Sequence, residues 1–330
     1  MRRPGEDTDA PARQPGRGTV FRKSQGRYWL RTPGGAVACS LSNKLRKDLV
    51  RPTADPSSLR AHVVGVREIR VVDPVAVGDE VEFLPGGGGA GMITGVLPRR
   101  SRISRRAPGS RPLEQVLVAN VDQFVPIFAA AQPPPRWNLL DRYLATAEAA
   151  GIEALVCVTK LDLAEESSLQ PEADMYRRLG YRVLLTSVVT GRGLEGLAEA
   201  LRGRVSVLAG KSGVGKTSLL NALEPGLGLR VNEVSAATGK GKHTTTHLEM
   251  FPLEDGGFVV DTPGVREFGL WEVPASEVAS LFREMRPYLG GCRFGAGCAH
   301  LREPGCAVRD AVAAGEITSR RYESYRRMRE

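Results

Sequence analysis

Residues 210–217 read GKSGVGKT, the pattern G-x-x-x-x-G-K-[ST], directly after the apolar run VSVLA and directly before SLLNAL. Strand, glycine-rich loop and helix in that order wrap backbone N–H groups around phosphate oxygens at a helix N-terminus. Gly210, Gly213 and Gly215 allow the tight loop, Lys216 bridges the outer phosphates, and Thr217 offers its hydroxyl to Mg2+. Lys211, Ser212, Val214 and Ser218 complete the nucleotide-binding set expected from the loop and first helical turn.

A phosphate cradle does not choose its base. Residues 159–162, TKLD, end the buried run EALVCV and match the guanine-reading pattern N/T-K-x-D. In that pattern Asp162 accepts from both the ring N–H and the exocyclic amine of guanine, and Lys160 lays its stem along the base. Adenine would leave the carboxylate unpaired, which such sites reject strongly. Thr186 and Ser187, after the strand YRVLL, are placed for a backbone contact to the guanine oxygen.

Two further stretches read as switches: DTPG at 261–264 and GKGKHTTT at 239–246. Asp261 is expected to hold Mg2+ through water, the Gly264 amide to meet the γ-phosphate, and Thr245 to supply the second metal-contacting hydroxyl. The three threonines also fit an ordinary strand start. The lysines and glycines before them predict a mobile loop.

The order is unusual for a GTP-binding fold. The guanine reader precedes the phosphate loop, so the sequence reads as a circular permutation, which closely spaced surface termini permit. DTPG then leads directly into the segment after residue 270, a route by which γ-phosphate loss reaches the C-terminal part of the chain.

Around this core the expected architecture is multi-domain α/β. Residues 1–18, rich in Pro, Gly and charge, read as a disordered tail. Residues 19–106 carry short β-rich runs (RYWLRT, AVACSL, AHVVGVREIRVV, DEVEFL, GMITGVL) that fit a five-stranded barrel, OB-like or SH3-like. Residues 107–272 alternate buried strands with amphipathic helices, the signature of a mainly parallel sheet, with VLVANVDQFVPIFAA as its first strand. Residues 273–330 form a helical module too small to stand without a staple. Cys292-x5-Cys298-x-His300-x5-Cys306 supplies one: three thiolates and an imidazole, a closed tetrahedral set for structural zinc.

Lys plus Arg number 46 and Asp plus Glu 37, and the surplus lies in the flanks rather than the centre. Basic flanks suggest a polyanionic partner, although a solubilising surface is the plain alternative. RRSRISRR at 99–106 reads as a nucleic-acid contact in preference to a solvated linker. No stretch is long and apolar enough to span a membrane, and five unevenly placed cysteines suit a reduced cytoplasm.

With VVGVREIRVVDPVAVGDEVEF, ANVDQ, LLDRYLATAEAAGI, GKSGVGKTSLLNAL, GKHTTT, DTPGVREFGL and EPGCAV in place, the chain resembles the circularly permuted bacterial GTPases known as ribosomal small-subunit-dependent GTPase A. The resemblance covers nearly everything after residue 18. It implies an OB barrel, a permuted GTPase and a zinc module, with GTP and GDP as ligands and the small ribosomal subunit and its rRNA as partner. It also implies late maturation or checking of that subunit, with hydrolysis stimulated by the particle and coupled to release.

Val265 stands where Ras-like proteins carry the water-positioning glutamine. The family pattern points instead to His243, which either positions the water or contacts rRNA. A nucleotide-gated scaffold with negligible turnover is the alternative function. Three departures from the pattern are Thr159 in place of Asn, five residues between Cys292 and Cys298, and Pro126 within the first strand. Thr159 keeps a hydroxyl to brace the phosphate loop, the two glycines absorb the extra residue, and Pro126 suggests an irregular or edge start to the sheet. A monomer is the default for such a switch.

Overall fold

The RYWLRT run alternates in burial, with Tyr28 and Leu30 inward, as a strand with one face on a core must. It is the second strand of the barrel that opens the computed structural model, which describes residues 14–24, 26–47, 49–50, 65–66, 71–107, 113–228, 248–262 and 270–330. The barrel strands are β1 (Gly16–Ser24), β2 (Arg27–Thr32) and β3 (Gly35–Leu41), then β6 (Glu80–Pro85) and β7 (Ala90–Val96). Helix α1 (Asn43–Lys47) and a small ladder of β4 (Leu49–Val50) and β5 (Gly65–Val66) lie between β3 and β6. The run β1-β2-β3-β7-β6 closes through β1–β6, with β3 and β7 parallel. That closure over Val20, Leu30, Val81, Phe83 and Ile93 settles the barrel as OB-like.

The first strand begins at Gly16, inside the stretch expected to be a tail. Gly16 and Gly18 are there because nothing larger fits: a Cβ on Gly16 would lie 2.9 Å from the Phe83 ring. The tail's first thirteen residues lie outside the described residues.

Most of the basic run 99–106 has partners within the protein, while Arg100 and Arg102 keep about half of their side-chain surface exposed. β8 (Arg102–Arg106) pairs antiparallel with β9 (Glu114–Ala119), so this hairpin straddles the expected boundary at 106/107. Arg99 donates twice to buried Asp79, each at 2.7 Å, and to Pro74 O at 2.9 Å. Arg100 pairs with Asp122, Arg102 reaches Glu114 at 2.8 Å, and Arg105 bonds Gln115 at 2.9 Å. These arginines form a seam between the barrel and the strands that succeed it. Asn120, of the ANVDQ stretch, completes it by donating to Gly78 O and accepting from Arg100 N.

The expected first strand of the α/β domain is two strands. After β9 the chain turns and resumes as β10 (Gln123–Ala129), followed by α2 (Trp137–Ala150), β11 (Glu153–Thr159), α3 (Glu166–Arg178) and β12 (Arg182–Leu185). Then come α4 (Leu194–Leu201), β13 (Val205–Ala209), α5 (Lys216–Leu223), β14 (Glu249–Pro252) and β15 (Phe258–Asp261). The sheet order is β12-β11-β10-β13-β15-β14, parallel except for β14.

Pro126 therefore sits in a central strand, not at an edge. The β13 ladder runs unbroken from Gln123 to Pro126, whereas the β11 ladder registers Gln123, Phe124, Ile127, Phe128 and Ala129 and omits Val125 and Pro126. The missing proline donor is absorbed by a gap in one ladder.

The C-terminal module packs short 3-10 turns, α6 (Ala307–Ala313) and α7 (Ser319–Arg329) around Phe282, Met285, Ile317 and Tyr325. α7 lies on α2, and a buried polar cluster joins them. Asp141 of α2, fully buried, accepts from Tyr176 Oη at 2.6 Å, Arg321 at 2.7 Å, Arg320 at 2.8 Å and Ser324 Oγ at 2.6 Å. Arg321 also donates to Glu284 at 2.6 and 2.9 Å.

Candidate functional site: a guanine nucleotide cradle and a metal knuckle

The carboxyl ends of β11, β12, β13 and β15 meet along one edge, the crevice in which open α/β sheets take ligands. β13 ends at Ala209 and runs through Gly210, Lys211, Ser212, Gly213, Val214 and Gly215 into α5, which starts at Lys216 and continues through Thr217 and Ser218. Gly215 caps that helix at φ 93°, a left-handed conformation that a side chain would strain, and among the described residues no side chain caps the first N–H groups. Those N–H groups point into the loop as an anion site. Val214 is buried in the core below and anchors the loop from beneath.

Lys216 Nζ donates to Gly210 O at 2.7 Å, folding back across the loop. Burial lowers its pKa, opposed by the charge of Asp261 at the end of β15. Burial likewise raises the Asp261 carboxyl, opposed by Lys216 and the Thr262 N–H. Asp261 Oδ1 is buried without a hydrogen-bond partner among the described residues. An orphaned carboxylate oxygen beside a phosphate loop fits a hydrated Mg2+. The adjacent Thr262 hydroxyl ties the strand end to Leu208 O at 2.8 Å.

The guanine-reading residues are joined to the loop. The buried Thr159 hydroxyl donates to Val214 O, so threonine braces the loop as the departure from Asn required. Lys160, at φ 56°, turns its ammonium onto Gln132 O, and its stem passes close to Gly215. Asp162 accepts from Ser187 Oγ, which fixes the carboxylate from the neighbouring strand end.

Thr186 and Ser187 need a correction. The sequence pattern assigns both a backbone contact to the guanine oxygen, but the Thr186 N–H donates to Val158 O at 2.7 Å and the Ser187 N–H to Arg192 O at 3.0 Å. Their tasks are internal: Thr186 extends the β11–β12 ladder, and Ser187 positions Asp162. The next N–H, that of half-exposed Val188, has no backbone acceptor among the described residues and is the one left for the base. Sequence reasoning missed it because only the cross-strand register assigns donors to acceptors. His243, Thr245 and Gly264 lie outside the described residues.

The second site is the sulfur knuckle. Cys292, Cys298, His300 and Cys306 are all buried, with their ligand atoms within 4.8 Å of one another. His300 Nδ1 lies 3.4 Å from both Cys292 Sγ and Cys306 Sγ. The five-residue spacing is absorbed by a 3-10 turn at Gly295–Gly297, where Gly295 N–H donates to Cys292 O and Cys298 N–H to Gly295 O. Tyr322 and Tyr325 of α7 each donate at 2.6 Å, to His300 O and Ala299 O. Glu303 accepts from the N–H groups of Ala299, Leu301 and Arg302, and its own backbone N–H first, then these, hold its pKa down at about 2 against the effect of burial. Three thiols and one imidazole, closed on themselves and backed by α7, fit a structural zinc ion.

Comparison with known proteins agrees with this geometry. A family model described as RsgA GTPase matches residues 96–271. The chain is 51% identical over 239 residues to the small ribosomal subunit biogenesis GTPase RsgA of Gemmatimonas aurantiaca, covering 72% of this chain and 77% of that protein. It is 41% identical over 309 residues to the protein of the same name from Moorella thermoacetica, covering 93% and 94%. Among solved structures, YjeQ from Thermotoga maritima is similar at TM-score 0.69 and 30% identity, over 96% of this chain and 98% of that one. YloQ, described as a circularly permuted GTPase, is similar at TM-score 0.65 and 28% identity, over 99% and 96%. The chain belongs to the RsgA GTPase family and is a GTP hydrolase.

Proposed function

We propose that the protein binds the small ribosomal subunit in the cytoplasm during late maturation or checking, and that GTP hydrolysis, stimulated by the subunit, times its release. The observation that carries the nucleotide half is the orphaned Asp261 oxygen facing Lys216 beside an uncapped helix N-terminus. The names of the relatives carry the partner.

In this reading Asp162, oriented by Ser187, selects guanine, and Val188 N–H meets the base oxygen. Thr159 holds the loop's shape while the α5 N–H groups and Lys216 take the phosphates. Mg2+, held by Thr217, Thr245 and, through water, Asp261, would neutralise charge on the phosphate oxygens. Lys216 exchanges its bond to Gly210 O for the β- and γ-phosphates, so the ammonium enters the site already desolvated. Gly264 meets the γ-phosphate and loses it on hydrolysis, and His243 positions the attacking water or contacts rRNA. Cys292, Cys298, His300 and Cys306 hold one zinc ion, and the protein works as a monomer.

GTP hydrolysis should rise strongly when purified small subunits are added, fall as salt rises, and not occur with ATP as substrate. Unchanged turnover with bound subunits would remove stimulation from the reading, and negligible turnover throughout would favour a nucleotide-gated scaffold. Zinc removal gives a separate check. Cys306→Ser is expected to lower bound zinc below one ion per chain and to loosen residues 273–330 towards protease, while GTP binding persists. A knuckle that stays protected without metal would disprove the staple.

A further inference from the structure

Arginine is abundant on this chain, and most of the described arginines have partners. Arg17 pairs with Glu82, Arg99 with Asp79, Arg204 with Glu153 and Arg283 with Glu148, while Arg22 stacks over Trp29 and Arg31 over Phe258. One place differs. A cleft of about 680 Å³ opens between the N-terminal turn of α2, the phosphate loop and α7. It is lined by Arg136, Arg142, Lys211, Arg320 and Arg327, with Trp137 on one wall, and among the described residues no carboxylate lines it.

Arg320 is shared with Asp141 and Glu172, and Arg327 with Glu323. Arg136, Arg142 and Lys211 have no ion pair among the described residues, although the first two belong to one helix start and the third to the phosphate loop. Their mutual repulsion registers at Lys211, whose pKa is lowered by burial and then by Arg136 and Arg142. Like charges gathered without a counter-charge cost energy in the free protein and favour an anion in the cleft.

We propose that this cleft seats the phosphodiester backbone of an RNA strand, spanning from the phosphate loop to α7. The inference rests on the small-subunit reading and adds the surface and its chemistry. Guanidinium forks match phosphate geometry, Trp137 offers a face on which a base stacks, and contacts to phosphate oxygens rather than base edges make the binding independent of sequence. Because Lys211 and α7 both line the cleft, one strand touches the nucleotide loop and the metal-stapled module together.

The test uses the full chain and Arg136→Gln/Arg142→Gln, two positions outside the nucleotide set. Affinity is measured against salt for purified small subunits and for the RNA extracted from them, with Arg136→Lys/Arg142→Lys as the charge-conserving variant. Two lost phosphate contacts should lower the slope of log affinity against log salt by about 1.4–1.8 on both probes. The lysine variant should keep the slope, and GTP turnover without subunits should not change. An unchanged slope in the glutamine variant, beside normal wild-type binding, overturns the cleft alone. A slope lowered on subunits but not on extracted RNA assigns the cleft to an acidic protein segment and also overturns it. Wild-type protein that binds neither probe overturns the small-subunit reading, and the cleft with it.

Discussion

Lys216→Ala is expected to cut subunit-stimulated GTP turnover by on the order of 10³-fold, about 4 kcal/mol of transition-state stabilisation, the scale for removing one preorganised donor. The ammonium is held across the loop by Gly210 O, at 2.7 Å, so it is positioned before the nucleotide arrives. The substitution acts twice: it removes the cation and leaves the buried Asp261 carboxylate without the charge that opposes its protonation. Asp261 should then titrate higher, so the loss should deepen as pH falls through its raised folded pKa and ease as pH rises. Steady-state turnover with saturating subunits over a pH series reads both effects. Turnover within about threefold of wild type would take Lys216 out of the chemistry.

Asp141→Ala should destabilise the protein by about 3–5 kcal/mol, the cost of stranding buried partners of an ion pair. The carboxylate receives Arg320, Arg321, Tyr176 and Ser324, and the Arg321 side chain is only 2% exposed. With Asp141 gone, Arg321 keeps Glu284, but Tyr176 and Ser324 lose their acceptor. Urea unfolding should show the midpoint falling, with α7 becoming sensitive to protease before the sheet does. Asp141→Leu combined with Arg321→Leu should recover part of the loss, since a buried pair replaced by apolar side chains is often neutral. A single variant within about 1 kcal/mol of wild type would show that the cluster contributes no net attachment.

How much could be read from the chain alone depends on how local each signal is. GKSGVGKT, TKLD and the Cys-His set have fixed spacing, so chemistry and position arrive together, and the structure places each on one edge or in one knuckle. Asp141 carried a quieter signal, a charge within the apolar stripe of Leu139, Leu140, Tyr143 and Leu144, but Arg321 lies 180 residues away along the chain. The partners of the arginine-rich run were hidden for the same reason: Asp79, Asp122 and Glu114 reach Arg99, Arg100 and Arg102 from other strands and turns. Gly16 read as disorder because composition does not reveal a ring waiting across the barrel. Pro126 read as an irregular or edge start, and the irregularity is there as a gap in one ladder, but in a central strand, because a ladder on one side can lapse while the other continues.

The barrel's attachment to the sheet has a consequence for solubility. β14 is the last strand of the GTPase sheet, and β1 lies antiparallel along it at the pair Arg22–Glu249. An exposed edge strand is a template for self-association, and here the barrel covers it. A fragment starting after residue 107 would retain the nucleotide cradle yet bare that edge. Its failure mode would then be strand-to-strand aggregation rather than loss of GTP binding, so the barrel acts as the sheet's guard as well as its neighbour.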